Sequence, residues 1–174
     1  MVESEIVTAM IMQLNSDCDF DYKEGYSFDP EHDWWDKNEN KVYPVLLNFQ
    51  FWEDSLIGYA KNLRVNDKNQ VIADIYLRKL DEDERQAVDK AVFAVSIKGW
   101  KEDLDKKGKI IGGYIDAVGT ISRRRYPYMQ IGQGEWKTVG KEKIENFPAF
   151  PGLVRKKGEV PVEKDTEEKN ETDN

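Results

Sequence analysis

A single cysteine, Cys18, and a single histidine, His32, stand among 174 residues. One cysteine rules out an intrachain disulfide, and one Cys with one His is too few for a zinc centre of the usual Cys/His kind. No apolar run approaches the roughly 18 residues that a membrane-spanning helix needs. The opening segment MVESEIVTAMIMQLNSD lacks the basic start and long apolar stretch of a secretory signal, so none is expected. No phosphate-cradling glycine loop is found either. Gly108–Gly113 reads GKIIGG, with neither Walker nor dinucleotide spacing. No internal repeat is visible, no cofactor is implied, and the expected partners do not include a membrane.

What is present is acid, aromatics and enough apolar side chain for a core: 39% hydrophobic and 11% aromatic residues, with a net charge of −8. The charge is uneven. Residues 158–174 hold seven acids, two lysines and no aromatic, so they carry −5 and leave −3 for the rest. A segment so poor in apolar side chains cannot offset an ordering entropy of roughly 1–2 kcal/mol per residue, which predicts a disordered acidic tail. Residues 1–157 then form one β-rich domain, with the best-defined core at 42–128.

Glu5–Leu14 is apolar on both alternating faces and is read as a buried strand. Residues 15–40 are polar and acidic, with Gly25 and Pro30, and predict a long loop holding at most a short extended piece. Val42–Trp52 is dense in β-branched and aromatic residues and predicts a strand. In Ile57–Val65 and Val71–Leu77 apolar residues alternate around the turn-rich Asn66–Gln70, the pattern of a β-hairpin. Asp81 followed by Glu84 is a capping-box signature, and Leu80, Ala87, Val88, Ala91 and Val92 share a helical face, so one central helix is expected over about 81–93. Phe93–Trp100 predicts a strand, and the apolar, Gly-rich 110–122 predicts one bent strand or two short ones. Residues 129–151, with Pro148 and Pro151, read as irregular. Together these elements predict an α+β fold, mainly antiparallel β, built as a partly open barrel with one central helix.

Few residues offer chemistry. A Ser–His pair needs a histidine beside the hydroxyl. Only His32 is available, in a polar loop between Glu31 and Asp33; the candidate serines are Ser96 and Ser122, both in apolar strand patterns. Asp17, Asp19 and Asp21 alternate as calcium ligands would. An EF-hand loop starting at Asp17 requires glycine at its sixth position and an acid at its twelfth, which are Tyr22 and Phe28 here. No metal site is therefore assigned. Arg123, Arg124 and Arg125, followed by Tyr126, form the one basic cluster with aromatics. It could hold phosphates and stack on bases, or pair with acids of this chain or a partner. The net-acidic body disfavours nucleic acid as the partner. Trp34 and Trp35 stand together in an acidic loop and read either as an interface anchor or as packing over the sheet edge.

The order Pro44-Val45-Leu46-Leu47-Asn48-Phe49, Leu56-Ile57-Gly58-Tyr59-Ala60, Val71-Ile72-Ala73-Asp74-Ile75, then a helix and Ser96-Ile97-Lys98-Gly99-Trp100, continuing into 114–127, resembles the prohead (head maturation) protease family of tailed phages, whose fold is shared with herpesvirus assemblins. The resemblance spans residues 42–128. It implies Ser96 at the position of the family's serine, with Lys98 inserted in the motif that follows. The family's histidine falls at Phe49, which cannot accept a proton. The resemblance thus implies a non-enzymatic relative serving as a virion or head-assembly protein, located in the virion or host cytoplasm, with other head proteins as partners and an oligomer compatible with that role. An active serine protease using Ser96, with His32 as a distant base, and a single-stranded nucleic-acid binder using Arg123–Arg125 are the alternatives.

Overall fold

The computed structural model describes residues 2–15, 27–99, 109–122, 136–144 and 146–153. The hairpin lies at the heart of its sheet. β4 (Leu56–Val65) and β5 (Gln70–Leu77) pair antiparallel. Their turn is held by the Asn66 side chain, whose Oδ1 accepts from the backbone of Lys68 at 2.9 Å and of Gln70 at 3.0 Å. Asn69 takes the left-handed position of the turn at φ 58°, a conformation Asn tolerates better than most residues.

Five more strands extend this hairpin. They are β1 (Val2–Gln13), β3 (Tyr43–Leu46), β6 (Ala91–Lys98), β8 (Tyr114–Ser122) and β9 (Trp136–Ile144), in the order β6-β8-β3-β4-β5-β1-β9. All neighbours are antiparallel except β3 and β8. A two-residue parallel pair, β2 (Ser27–Phe28) with β7 (Lys109–Ile110), lies apart. The sheet curls so that its two edge strands approach each other. Trp136 of β9 donates its indole N–H to the Ala91 carbonyl of β6 at 3.2 Å and meets the Phe93 ring edge-on at 5.9 Å. The fold is α+β, a curled half-barrel with one helix among the described residues.

Period-2 alternation decides which side chains enter the barrel. On β5, Val71, Ala73, Ile75 and Leu77 are fully buried. Val7 and Ala9 of β1, paired with Ile75 and Ala73, join them, as does Ala60 of β4. The helix α1 (Glu82–Asp89) adds Val88, with Leu80 beside it. Its start is the expected capping box: the Asp81 carboxylate accepts from the Glu84 backbone at 2.8 Å, and Glu84 accepts from the Asp81 backbone at 3.0 Å. Arg78 pairs with Glu84, and Arg85 reaches back to Glu5 of β1.

Three boundaries differ from expectation. The helix ends at Asp89, not near 93, because Ala91 and Val92 pair with Ser122 and Ile121 as the first rungs of β6. The expected strand over 42–52 stops at Leu46. Beyond it the chain makes two 3-10 turns, with Asn48 and Phe49 both at positive φ (55° and 52°). In the stretch read as irregular, β9 pairs with β1 throughout. The 110–122 segment divides into β7 and β8, with Gly113 between them at φ 98°. The acidic segment 158–174 lies outside the described residues.

Candidate functional site

Ser96 and Phe49 both lie on the outer face of β6 and β8. Phe93 and Ile97 of β6 point into the barrel, and Val92 and Ala94 point out, where they form a small second cluster with Ile121 and Phe49. Ser96 follows Ala94 on that alternating outer face. Phe49 arrives there through the left-handed turn at 48–49. Its ring is seated over Gly119, where a Cβ would lie 2.6 Å from ring carbon Cδ1. The Asn48 backbone N–H donates to the Thr120 hydroxyl at 2.9 Å, which fastens the turn to β8. A bulky residue at positive φ costs on the order of 1–3 kcal/mol. The notch at Gly119 and the apolar contacts around it hold it there.

Ser96 itself sits at a bulge. It pairs with Ala117, while Ile97 pairs with Ile115, so Asp116 is the extra residue of β8. Asp116 meets Lys98 at 3.3 Å through Oδ2, and its buried Oδ1 has no hydrogen-bond partner. His32 is engaged elsewhere. Its Nε2 lies 2.7 Å from the Gly113 carbonyl oxygen, which can only accept, so that nitrogen carries the proton. The His32 ring also meets Trp34 edge-on at 4.6 Å.

The aromatic pair of the acidic loop is divided between two tasks. Trp34 is fully buried and serves the packing reading. Its indole donates to the Asp29 carbonyl at 2.8 Å, its carbonyl accepts from Ile115, and Phe28 meets its ring at 5.1 Å. These bonds and the β2–β7 pair tie the loop to the start of β8. Trp35, half-buried against the same core, also faces solvent. With Lys37, Asn38 and Lys41 of the loop it forms one wall of an open pocket of about 440 Å³. Lys61, Asn62, Asp74 and Tyr76 of the hairpin form the opposite wall, with Tyr43 between. The Tyr43 hydroxyl accepts from the Asp36 backbone at 2.9 Å and anchors the loop; burial first, then the Asp36 charge, raises its pKa above the ordinary tyrosine value.

The hairpin wall is shaped by a second bulge. Lys61 pairs with Asp74 and Arg64 with Ile72, leaving one extra residue in β4. Asn62 takes φ 56° there, turning its amide onto Asp74 Oδ2 at 2.9 Å, while Arg64 meets Asp74 Oδ1 at 3.2 Å. On the same outer face Tyr59 and Tyr76 stack at 5.0 Å with planes 4° apart, and Phe147 covers Tyr59 edge-on at 5.5 Å. Burial, then the neighbouring Tyr76 and Glu142, raises the Tyr59 pKa. Lys61 lies over the exposed end of this stack, 4.7 Å from the Tyr76 centroid, and Lys41 lies 5.5 Å from the Tyr43 centroid.

Of the residues singled out in the sequence, Trp35 lines the pocket, while Ser96 and His32 share no hydrogen bond. Arg123, Arg124, Arg125 and Tyr126 lie outside the described residues, as do Asp17, Asp19 and Asp21. Lys61, Asn62 and Tyr76 were not singled out. The signal for them is Asn62, a poor strand former inside a strong strand pattern, which is where a bulge belongs. Among the described residues no group of three or more Cys, His or acidic side chains is arranged to hold a metal ion, and no helix is long and apolar enough to cross a membrane. Comparison of the chain with protein-family models, with curated proteins and with solved structures finds no match.

Proposed function

We propose that this chain is a non-enzymatic virion or head-assembly protein of a tailed phage, a relative of the prohead proteases that keeps their shape and has lost their chemistry. The observation that carries the reading is Phe49. It occupies the position that the resemblance gives to the catalytic histidine, it sits on the same outer face as Ser96, and its ring packs into the Gly119 notch. A phenyl ring cannot take the serine proton, and a serine with no base is a poor nucleophile at neutral pH. The nearest substitute, His32, already donates from Nε2 to the Gly113 carbonyl.

Two measurements test this. The protein is expected to cosediment with capsids or their assembly intermediates, and absence from both would overturn the assignment. Co-expression with the major capsid protein is expected to give the same digestion pattern for the native chain and for Ser96→Ala. Cleavage that disappears in Ser96→Ala would instead establish an active serine protease.

A further inference from the structure

The pocket between the Trp35 loop and the β4–β5 hairpin is built from groups whose bonding is incomplete in a specific way. Trp35 is half-buried and packs against the main core, yet among the described residues its ring stacks on no other ring and its indole N–H meets no acceptor. Indole offers a donor and an apolar face, and Trp35 brings both to the lining of the cavity. The ammonium groups of Lys41 and Lys61 rest over Tyr43 and Tyr76 and, among the described residues, meet no carboxylate within ion-pair distance. The two asparagines are complementary. Asn62 spends its amide N–H on Asp74 and keeps an oxygen, while Asn38 accepts the Asn40 backbone at 3.0 Å and keeps its amide donors.

Charge decides among ligand classes. A cationic ligand would need the faces of Tyr43 and Tyr76, and the protein's own lysines lie over both. An anion would need a surplus of positive charge, and there is none. Lys37 is paired with Asp33 at 2.8 Å and Asp74 with Arg64, so Lys41 and Lys61 are balanced by Asp36 and Glu39. What fits is a neutral ring with one apolar face and a rim of hydroxyls that both donate and accept. A cavity of about 440 Å³ falls within the ~300–1,000 Å³ usual for small-ligand sites.

We propose that this pocket binds a neutral saccharide, with its ring stacked on Trp35 and its hydroxyls hydrogen-bonded by Lys61, Lys41, Asn62 and Asn38. The site is separate from Ser96 and Phe49 and does not depend on the assembly role proposed above.

The test is titration of the full-length protein, labelled with 15N, with glucose, galactose, N-acetylglucosamine and cellobiose in turn, following the indole N–H signals. The signal assigned to Trp35 is expected to move in a saturable way with at least one of these sugars, with a Kd of about 1–10 mM, around −3 to −4 kcal/mol. Lys61→Met, a change at a partly exposed side chain, is expected to weaken binding about tenfold without altering the rest of the spectrum. Trp35→Phe and Trp35→Ala lack that indole, so their binding is read from the backbone amide signals of Lys61 and Asn62: Trp35→Phe is expected to keep weakened binding and Trp35→Ala to abolish it, with the fold of each verified by its spectrum. Inorganic phosphate and AMP serve as anionic probes. Saturation of the Trp35 signal by either of them but by none of the sugars would overturn the proposal. So would no saturable shift with any sugar up to about 100 mM, or sugar binding unchanged in both Lys61→Met and Trp35→Ala.

Discussion

Gly119→Ala is expected to destabilise the protein by about 2–3 kcal/mol, and removing the Phe49 ring should abolish most of that cost. Gly119 lies in ordinary strand backbone, so the substitution carries no conformational penalty of its own. The obstacle is steric. A Cβ at 119 would stand 2.6 Å from Phe49 Cδ1 and 2.7 Å from both Cε1 and Cγ. The first of these is about 0.8 Å inside the 3.4 Å at which ordinary contact begins. Cγ is the ring's attachment atom, so the ring cannot swing its far end away; the whole side chain or the strained 48–49 turn must move. Overpacking of this kind typically costs 1–3 kcal/mol. Phe49→Ala alone removes a half-buried ring from Val92, Ala94 and Ile121 and is expected to cost ~2 kcal/mol, below the 3–5 of a fully buried Phe. In the double variant the methyl enters space the ring has left, so its stability should match Phe49→Ala alone, a coupling of about 2 kcal/mol. Urea unfolding followed by tryptophan fluorescence measures all three, and each kcal/mol should also move the melting temperature by about 2–4 °C. Additivity within about 0.5 kcal/mol would refute the seating of Phe49 over Gly119, and with it the account of why this turn tolerates two residues at positive φ.

Gly58→Ala should be worse. Its Cβ would lie 2.4 Å from the Tyr76 carbonyl oxygen, a backbone atom in the centre of the hairpin, so a loss above ~3 kcal/mol and poor soluble yield are expected; a well-folded Gly58→Ala protein would contradict the β4–β5 register. Asp81→Ala should cost ~1 kcal/mol through loss of the capping box, read by urea unfolding, with Asp81→Asn nearly silent. Acid should destabilise through two carboxylates. The Arg78 hydrogen bond holds the Glu84 pKa below the ordinary value. At Glu5 burial pushes upward, but hydrogen bonds from Thr138 and Arg85 and the charges of Arg85 and Lys141 prevail and lower it. Because both folded values lie below the unfolded one, their stabilisation is complete above about pH 4.3 and is lost as pH falls through the lowered values. Unfolding midpoints measured down a pH series should therefore drop below that point, with a shallower slope in Glu84→Gln; stability that rises on acidification would show the pairing to be wrong.

The parts of the fold that could be read in the sequence are those whose cause is local. The hairpin shows because both strands alternate and Asn66 supplies a turn whose bonds it makes itself. The helix start shows because a capping box needs only Asp81 and Glu84. The helix end does not, because Ala91 and Val92 satisfy a helical face and a strand equally well, and only pairing with β8 decides between them. β9 leaves almost no apolar alternation: it is an edge strand with Lys137, Lys141, Glu142 and Lys143 exposed, held by backbone bonds to β1 and by Trp136. The break at Leu47–Phe49 is invisible because its cause, the notch at Gly119, lies some seventy residues away in the chain. Trp35 was legible as an aromatic in an unusual place. Its partners across the pocket were not, since Lys61 and Tyr76 read as the solvent face of a strand until the bulge at Asn62 gives them a shared cavity.

The position of β1 in the sheet has a consequence for the order of assembly. Its twelve residues pair with β5 on one side and with β9, more than a hundred residues later, on the other. β1 is made well before β9 and gains its second neighbour only when β9 arrives, and until then an apolar segment, Ile6 to Met12, has an open edge. Pairings this distant in sequence form slowly, because the intervening chain must be closed before any contact rewards it. Growing chains would carry that open edge for several seconds at ordinary translation rates of ~5–20 residues per second, a time in which a chaperone or a neighbouring nascent chain can reach it.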